Sequence, residues 1–180
     1  MRKHTKILFH GTDTFFDEFS TDYISGKCSI DQYGSGFYFF DTPSKTMRYG
    51  SIVVECAVEV SKILEFNKSR RRFTISQVES LLLACPYLSE KLENVNDINF
   101  YGFDSVLNEA IHLYAGNDYV HGLNCIGNDF FESTDTHILL SKFVEITGFD
   151  CIRDKELGIY NILTKKQINV IAHKTLEDYK

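Results

Sequence analysis

The sequence predicts an α+β domain on three observations: strand-like apolar alternation near both ends, helix-period apolar spacing through the middle, and no long apolar run. Its 180 residues are 43% hydrophobic and 24% charged, enough for one domain with its own core. Residues 1–180 are therefore read as a single domain, with a helical insertion at about 74–147. No stretch approaches a membrane span, and the start, Met1-Arg2-Lys3-His4-Thr5, carries no apolar signal core. Cys28, Cys56, Cys85, Cys125 and Cys151 are scattered without Cys-x-x-Cys spacing, which argues against a disulfide framework and against a zinc site. The expected location is the reducing cytoplasm, with no membrane association and no metal.

Element by element, Lys6 to Thr12 reads as a short strand that stops at Gly11. A polar loop follows from Asp22 to Tyr33. Phe37-Tyr38-Phe39-Phe40 favours a strand. After it, Asp41 or Thr42 can cap one or two turns of helix, Pro43 suits the first position, and Gly50 can end it. Between Ser51 and Val60, Ile52, Val54, Cys56, Val58 and Val60 alternate with Val53, Glu55, Ala57 and Glu59, as in a half-buried strand whose two glutamates face solvent. The middle carries three helical patterns. Ser76 with Glu79 fits a capping box before Val78 and Leu81 to Leu83, closed by Pro86. Phe103, Val106, Leu107, Ala110, Ile111 and Tyr114 fall at helical spacing up to Gly116. Thr134 or Asp135 can cap a third helix through Ile138, Leu139, Phe143 and Val144, stopped by Gly148. Strands return at Phe149 to Ile152, Gly158 to Leu163 and Ile168 to Ile171.

A net charge of −6 does not mark a general nucleic-acid binder. Lys68-Ser69-Arg70-Arg71-Arg72 is a local exception. The ordinary reading of such a run is a solvated loop, and the sharper one is a contact for a polyanionic substrate.

The stretch Gly34-Ser35-Gly36-Phe37-Tyr38-Phe39-Phe40-Asp41-Thr42-Pro43-Ser44-Lys45-Thr46-Met47-Arg48-Tyr49-Gly50 has the glycines of a phosphate loop in the wrong context. A phosphate loop opens directly into a helix, so that free backbone N–H groups meet the ligand. Here an aromatic strand intervenes. Upstream, His10-Gly11-Thr12 stands at the end of a strand, a common place for a working residue. Alone, His10 is an ordinary core or surface histidine. His112, His121, His137 and His173 are more ordinary still.

Taken in order, His-Gly-Thr, then Gly-x-Gly-Phe-Tyr-Phe, then a short helix ending in Tyr49-Gly50 resembles the ADP-ribosyltransferase fold of the diphtheria-toxin and poly(ADP-ribose) polymerase branch. That branch has a His, a Tyr and usually a Glu on three strands. Gly148-Phe149-Asp150 and Lys166-Gln167-Ile168 resemble the ending of small bacterial and phage-associated members. The resemblance implies a split β-sheet core with a helical insertion, and NAD as substrate. It places the nicotinamide between Tyr38 and Tyr49, its carboxamide paired with the Gly11 backbone and accepting from the Thr46 hydroxyl as donor, and an adenosine ribose hydroxyl on His10. Thr12 follows in the same motif, and Gly36 allows close approach of the chain. Flat aromatic walls around a cationic ring are the chemistry this needs. With 10 Tyr and 15 Phe in the chain, core aromatics are the competing account of either tyrosine alone.

The family pattern Glu-Tyr-Val-Val aligns with Ile159-Tyr160-Asn161-Ile162, so Ile159 stands where the glutamate belongs, and Leu157 two residues earlier supplies no carboxylate. Glu156 or Asp154, in the preceding loop, can supply the missing catalytic carboxylate instead, against the ordinary reading of a solvated loop acid. Within the resemblance, an aliphatic residue here is linked to transfer of single ADP-ribose units. The implied activity is mono-ADP-ribosylation of a macromolecular acceptor, protein or nucleic acid, by a toxin or defence effector with an inhibitory antitoxin as a partner. A non-catalytic NAD-binding module is the alternative. The RNA 2′-phosphotransferase also opens with His-Gly-Thr, but its Arg-His-x-His cluster has no counterpart here.

Overall fold

β1 (His4–Thr12) and β3 (Ile52–Val60), the latter apolar at every second position from Ile52 to Val60, form a matched antiparallel pair, in register from His4 opposite Val60 to Thr12 opposite Ile52. The computed structural model describes residues 4–21, 34–68, 70–93 and 102–179. The polar loop expected from Asp22 to Tyr33, together with Cys28 and Ser69, lies outside them. The chain divides into two compact units, one of Met1–Tyr23, Gly36–Lys68 and Gly148–Lys180, the other of Ile24–Ser35 and Ser69–Thr147.

The first unit holds a seven-stranded mixed sheet, and the architecture is α+β. Besides β1 and β3 it contains β2 (Phe37–Phe40), β4 (Ile63–Glu65), β5 (Cys151–Asp154), β6 (Ile159–Ile162) and β7 (Ile168–Thr175), in the order β4-β5-β6-β2-β1-β3-β7. β4 and β5 are parallel, and the other described pairs are antiparallel. The β1–β2 ladder consists of one rung, Phe9 opposite Phe40. Two halves of the sheet meet at that seam. Leu8, Phe39, Val54, Cys56, Val58, Ile152 and Ile162 are buried across the sheet. In β7 a bulge between the partners of Glu55 and Cys56 resets the register, so His173 pairs with Val54.

Asp150 fixes the turn that leads from β3 to β4. Its carboxylate accepts from Ser61 N at 2.9 Å, Ser61 Oγ at 2.5 Å and Lys62 N at 3.0 Å. Glu55, expected to face solvent, instead lies half-buried against Lys174 Nζ at 2.6 Å and Tyr179 Oη at 3.0 Å. The 3-10 turn Leu176–Tyr179, absent from the sequence reading, brings that tyrosine onto β3's partly covered second face. The lysine and tyrosine bonds hold the Glu55 carboxyl below its ordinary range.

In the second unit are α1 (Ile75–Leu82), α2 (Leu88–Glu93), α3 (Gly102–Tyr114), α4 (Tyr119–Phe130) and α5 (Thr136–Thr147). The capping box belongs to Thr74 and Gln77 rather than Ser76 and Glu79: Thr74 is extended, its hydroxyl accepts from Gln77 N, and Gln77 Oε1 accepts from Thr74 N. Ser76 is already inside the helix. Residues 133–135 form a 3-10 turn, so α5 begins at Thr136, one residue after Asp135. α2 and α4 were not anticipated. The apolar positions of α4, at Val120, Leu123, Ile126 and Phe130, and its cap at Asp118 were nevertheless readable. No helix among the described residues is long and apolar enough to cross a membrane.

Candidate active site

His10 is the penultimate-but-one residue of β1, just past the single rung that joins β1 to β2. Beyond that rung β1 is laddered only to β3 among the described strands, and no further rung crosses the seam to β2. The His10 side chain spans it. Its Nδ1 lies 2.8 Å from the Tyr38 carbonyl oxygen, and since a carbonyl only accepts, Nδ1 carries the proton. Nε2 is then left as the acceptor, suited to a hydroxyl. Around the ring stand Phe19 at 5.1 Å, Phe39 at 5.8 Å and Phe16 at 6.1 Å. This apolar wall disfavours the charged imidazolium and lowers the pKa of His10, and the Tyr38 carbonyl only partly opposes it.

Tyr38 is half-buried in β2, directly opposite Asn161 of β6, and Phe40 is opposite Ile159. Gly36 precedes β2. A Cβ there would overlap the Asn161 side-chain oxygen and come 2.8 Å from its Cγ, so this glycine serves the close approach of β6.

The stretch expected to be one or two turns of helix is the 3-10 turn Pro43–Arg48, with Thr42 at its N-terminus and Pro43 in the first position. It folds back on β1. A Cβ on Gly11 would lie 2.5 Å from the Thr46 carbonyl oxygen and 2.9 Å from Tyr49 Cβ, so only glycine allows the turn to pack there. Thr46 is fully buried, and its hydroxyl donates to the Pro43 carbonyl at 2.7 Å. With its one proton used, it can only accept from a further amide. Tyr49 follows the turn, 48% exposed, with its ring against Phe40 at 5.2 Å and 32°. Thr12, the last residue of β1, is half-buried, and its hydroxyl accepts from Thr14 N.

The position expected to hold glutamate is Ile159, the first residue of β6, opposite Phe40 on one side and Asp154 on the other. Asp154 is buried, and its Oδ1 accepts from Glu156 N at 2.9 Å and Leu157 N at 3.0 Å, an Asx turn that shapes the β5–β6 connection. Glu156 lies in that turn with its side chain exposed. Gly158, at φ +67°, ends the turn where Asp41 N donates to its carbonyl and Lys45 pairs with Asp41 at 2.7 Å.

One neighbour was not legible in the sequence. His173 shares the row His10–Val54–His173 on one face of the sheet, and Phe16 packs against both imidazoles, at 6.1 Å and 6.0 Å. The seam therefore brings His10, Tyr38 and Ile159 onto three neighbouring strands, β1, β2 and β6, with the Gly11–Thr46–Tyr49 contact beside them.

No family model matches the chain. No curated protein matches it either. Over 93% of its length it is similar to the crystal structure of an anti-CRISPR protein, of which 96% is covered, at 13% identity and a TM-score of 0.35. A likeness that loose carries no argument about fold or activity.

Proposed function

We propose that this protein is an NAD-dependent mono-ADP-ribosyltransferase, acting on a macromolecular acceptor that is a protein or a nucleic acid. The observation that carries this reading is the tie between His10 and Tyr38 at the one-rung seam, with Ile159 on the next strand. It supports a neutral His10 that offers Nε2 to a ribose hydroxyl of NAD. The exposed ring of Tyr49, backed by Phe40, and the half-buried Tyr38 supply aromatic surface for nicotinamide.

In the proposed reaction the bond between the nicotinamide nitrogen and the ribose anomeric carbon breaks, and its electron pair neutralises the pyridinium as nicotinamide leaves. The oxocarbenium-like ribose is captured by an acceptor nucleophile, which gives up a proton. A carboxylate aimed at that charge is commonly worth about a hundred- to a thousand-fold in rate. Ile159 cannot provide it. Asp154 is the buried acid across from it in register, and Glu156 is the exposed acid of the same turn. A second reading, an NAD-binding module without catalysis, is favoured by the aliphatic side chain at 159.

The test is incubation with NAD carrying label in its adenylate half, following the melting temperature, nicotinamide release and label in macromolecules, with His10→Ala as the blank. Stabilisation with release and transferred label supports the transferase. Stabilisation without release leaves the binding module. No stabilisation by NAD removes both.

A further inference from the structure

We infer that Arg70, Arg71 and Arg72 form a docking surface for a nucleic-acid strand, the acceptor in the proposed transfer; that acceptor role rests on the transferase reading, while the surface itself does not. All three side chains are exposed. They are carried on backbone that the second unit holds in place. Tyr119 N donates to the Arg71 carbonyl at 3.1 Å, Phe73 N to the Asn117 carbonyl at 3.0 Å, and Gly116 N to the Phe73 carbonyl at 3.0 Å, so Arg72 bridges to Asp118 like a rung of antiparallel sheet. Phe73 anchors the end of the segment. It is 3% exposed, its ring lies 4.7 Å from Tyr119 and 6.0 Å from Phe143, and a Cβ on Gly122 would come 2.8 Å from it.

The spacing selects the partner. Arg70 and Arg72 are two residues apart, so their Cα atoms are separated by no more than about 7 Å, and long guanidinium arms readily match the interval between consecutive phosphates of one strand. Guanidinium binds phosphate oxygens in a fork, by paired N–H donors. Asp118 stands opposite Arg72, and its Oδ1 accepts from Val120 N at 3.1 Å and His121 N at 3.0 Å at the start of α4. The net charge of −6 opposes general attraction of a polyanion, so the local cluster of three arginines is the feature that favours one.

The experiment is fluorescence anisotropy of the intact protein with labelled single-stranded 20-nucleotide DNA and RNA at 50 and 200 mM salt. Arg70→Ala/Arg71→Ala/Arg72→Ala is compared with Lys165→Ala/Lys166→Ala, which removes an exposed basic pair elsewhere. Binding by the parent is expected, with the arginine variant at least about tenfold weaker at 50 mM salt and its log–log salt slope shallower by about 2, as three lost phosphate contacts dictate. The lysine variant is expected to bind as the parent does. Absence of binding to either strand at 50 mM overturns the inference, as does equal binding by the arginine variant with an unchanged melting temperature. Competition by polyglutamate as effective as by unlabelled strand, or tighter binding to phosphatidylserine vesicles, also overturns it in favour of another polyanion. An oligonucleotide bound by a protein that neither binds NAD nor releases nicotinamide leaves the surface standing and removes the transferase.

Discussion

The imidazole of His10 and the main chain of Tyr38 are joined across the seam of the sheet by a hydrogen bond of 2.8 Å. Next to a single backbone rung, a side chain thus completes the connection between two strands. The same bond sets the tautomer, the ring orientation and the free acceptor. The residue proposed to hold a ligand hydroxyl is thus also part of what joins β1 to β2.

That dual role has a pH signature. Burial holds the folded-state pKa of His10 below its ordinary 6.5. Between those two values the unfolded chain binds the extra proton and the folded chain does not, so stability rises with pH there. His10 therefore contributes fully above about pH 6.5 and progressively less as the medium is acidified through its folded pKa. Melting temperatures of the parent between pH 5 and 8 should fall on the acid side more steeply than those of His10→Gln. Parallel profiles would show that this imidazole is not the group responsible.

Gly36 and Asn161 should behave as a coupled pair. Gly36→Ala forces a Cβ into the Asn161 amide at an already unusual φ of +154°, and a cost of about 2–4 kcal/mol is expected. Asn161→Ala removes the overlapping atoms, so the double variant should recover more than additivity allows in denaturant melts. Strict additivity would mean that the two do not touch in solution.

Asp150 is expected to be structural. Its replacement by Ala leaves Ser61 N, Ser61 Oγ and Lys62 N without their acceptor, at a cost of about 3 kcal/mol or roughly 6–12 °C in melting temperature. Asp150→Asn keeps one acceptor oxygen and should lose less. Nicotinamide release per folded molecule should be the same in both.

Asp154→Asn separates charge from shape. An asparagine oxygen can still accept from Glu156 N and Leu157 N, so the turn persists while the carboxylate is gone. Nicotinamide release is expected to drop about a hundredfold, with the melting temperature little changed. Glu156→Ala should leave the rate intact. The opposite pattern would transfer the electrostatic role to the exposed turn.

What the sequence revealed followed from local rules. The alternation of residues 52–60 marks β3, Gly116 and Gly148 stop their helices, and Pro43 opens a short turn, because each depends on neighbours a few residues away. Ser76 misled because Thr74 offers the same hydroxyl two residues earlier and is the one in extended conformation. Glu55 looked like a solvent-facing residue, and only the return of Lys174 and Tyr179 from 119 and 124 residues downstream gives it partners. β4 was invisible for a related reason. Three residues with a parallel neighbour, β5, almost ninety positions away leave no periodic trace. At the seam, the order of His10, Tyr38 and Ile159 along the chain was plain, but not that Asp154 lies opposite Ile159 or that His173 shares Phe16 with His10.

The pairing of β2 with β6 also sets a clock during synthesis. The main lateral partner of Phe37–Phe40 is Ile159–Ile162, and a single rung to β1 is all it has before then. At about 5–20 residues per second, the ribosome needs roughly 6–24 s to pass from residue 40 to residue 162. Through that interval the nascent chain has Tyr38 without its strand neighbour and no Ile159 or Asp154 at all. The β2–β6 pairing can form only late in translation, so polypeptides cut short before β6 are expected to carry the histidine motif without the strand that flanks Tyr38.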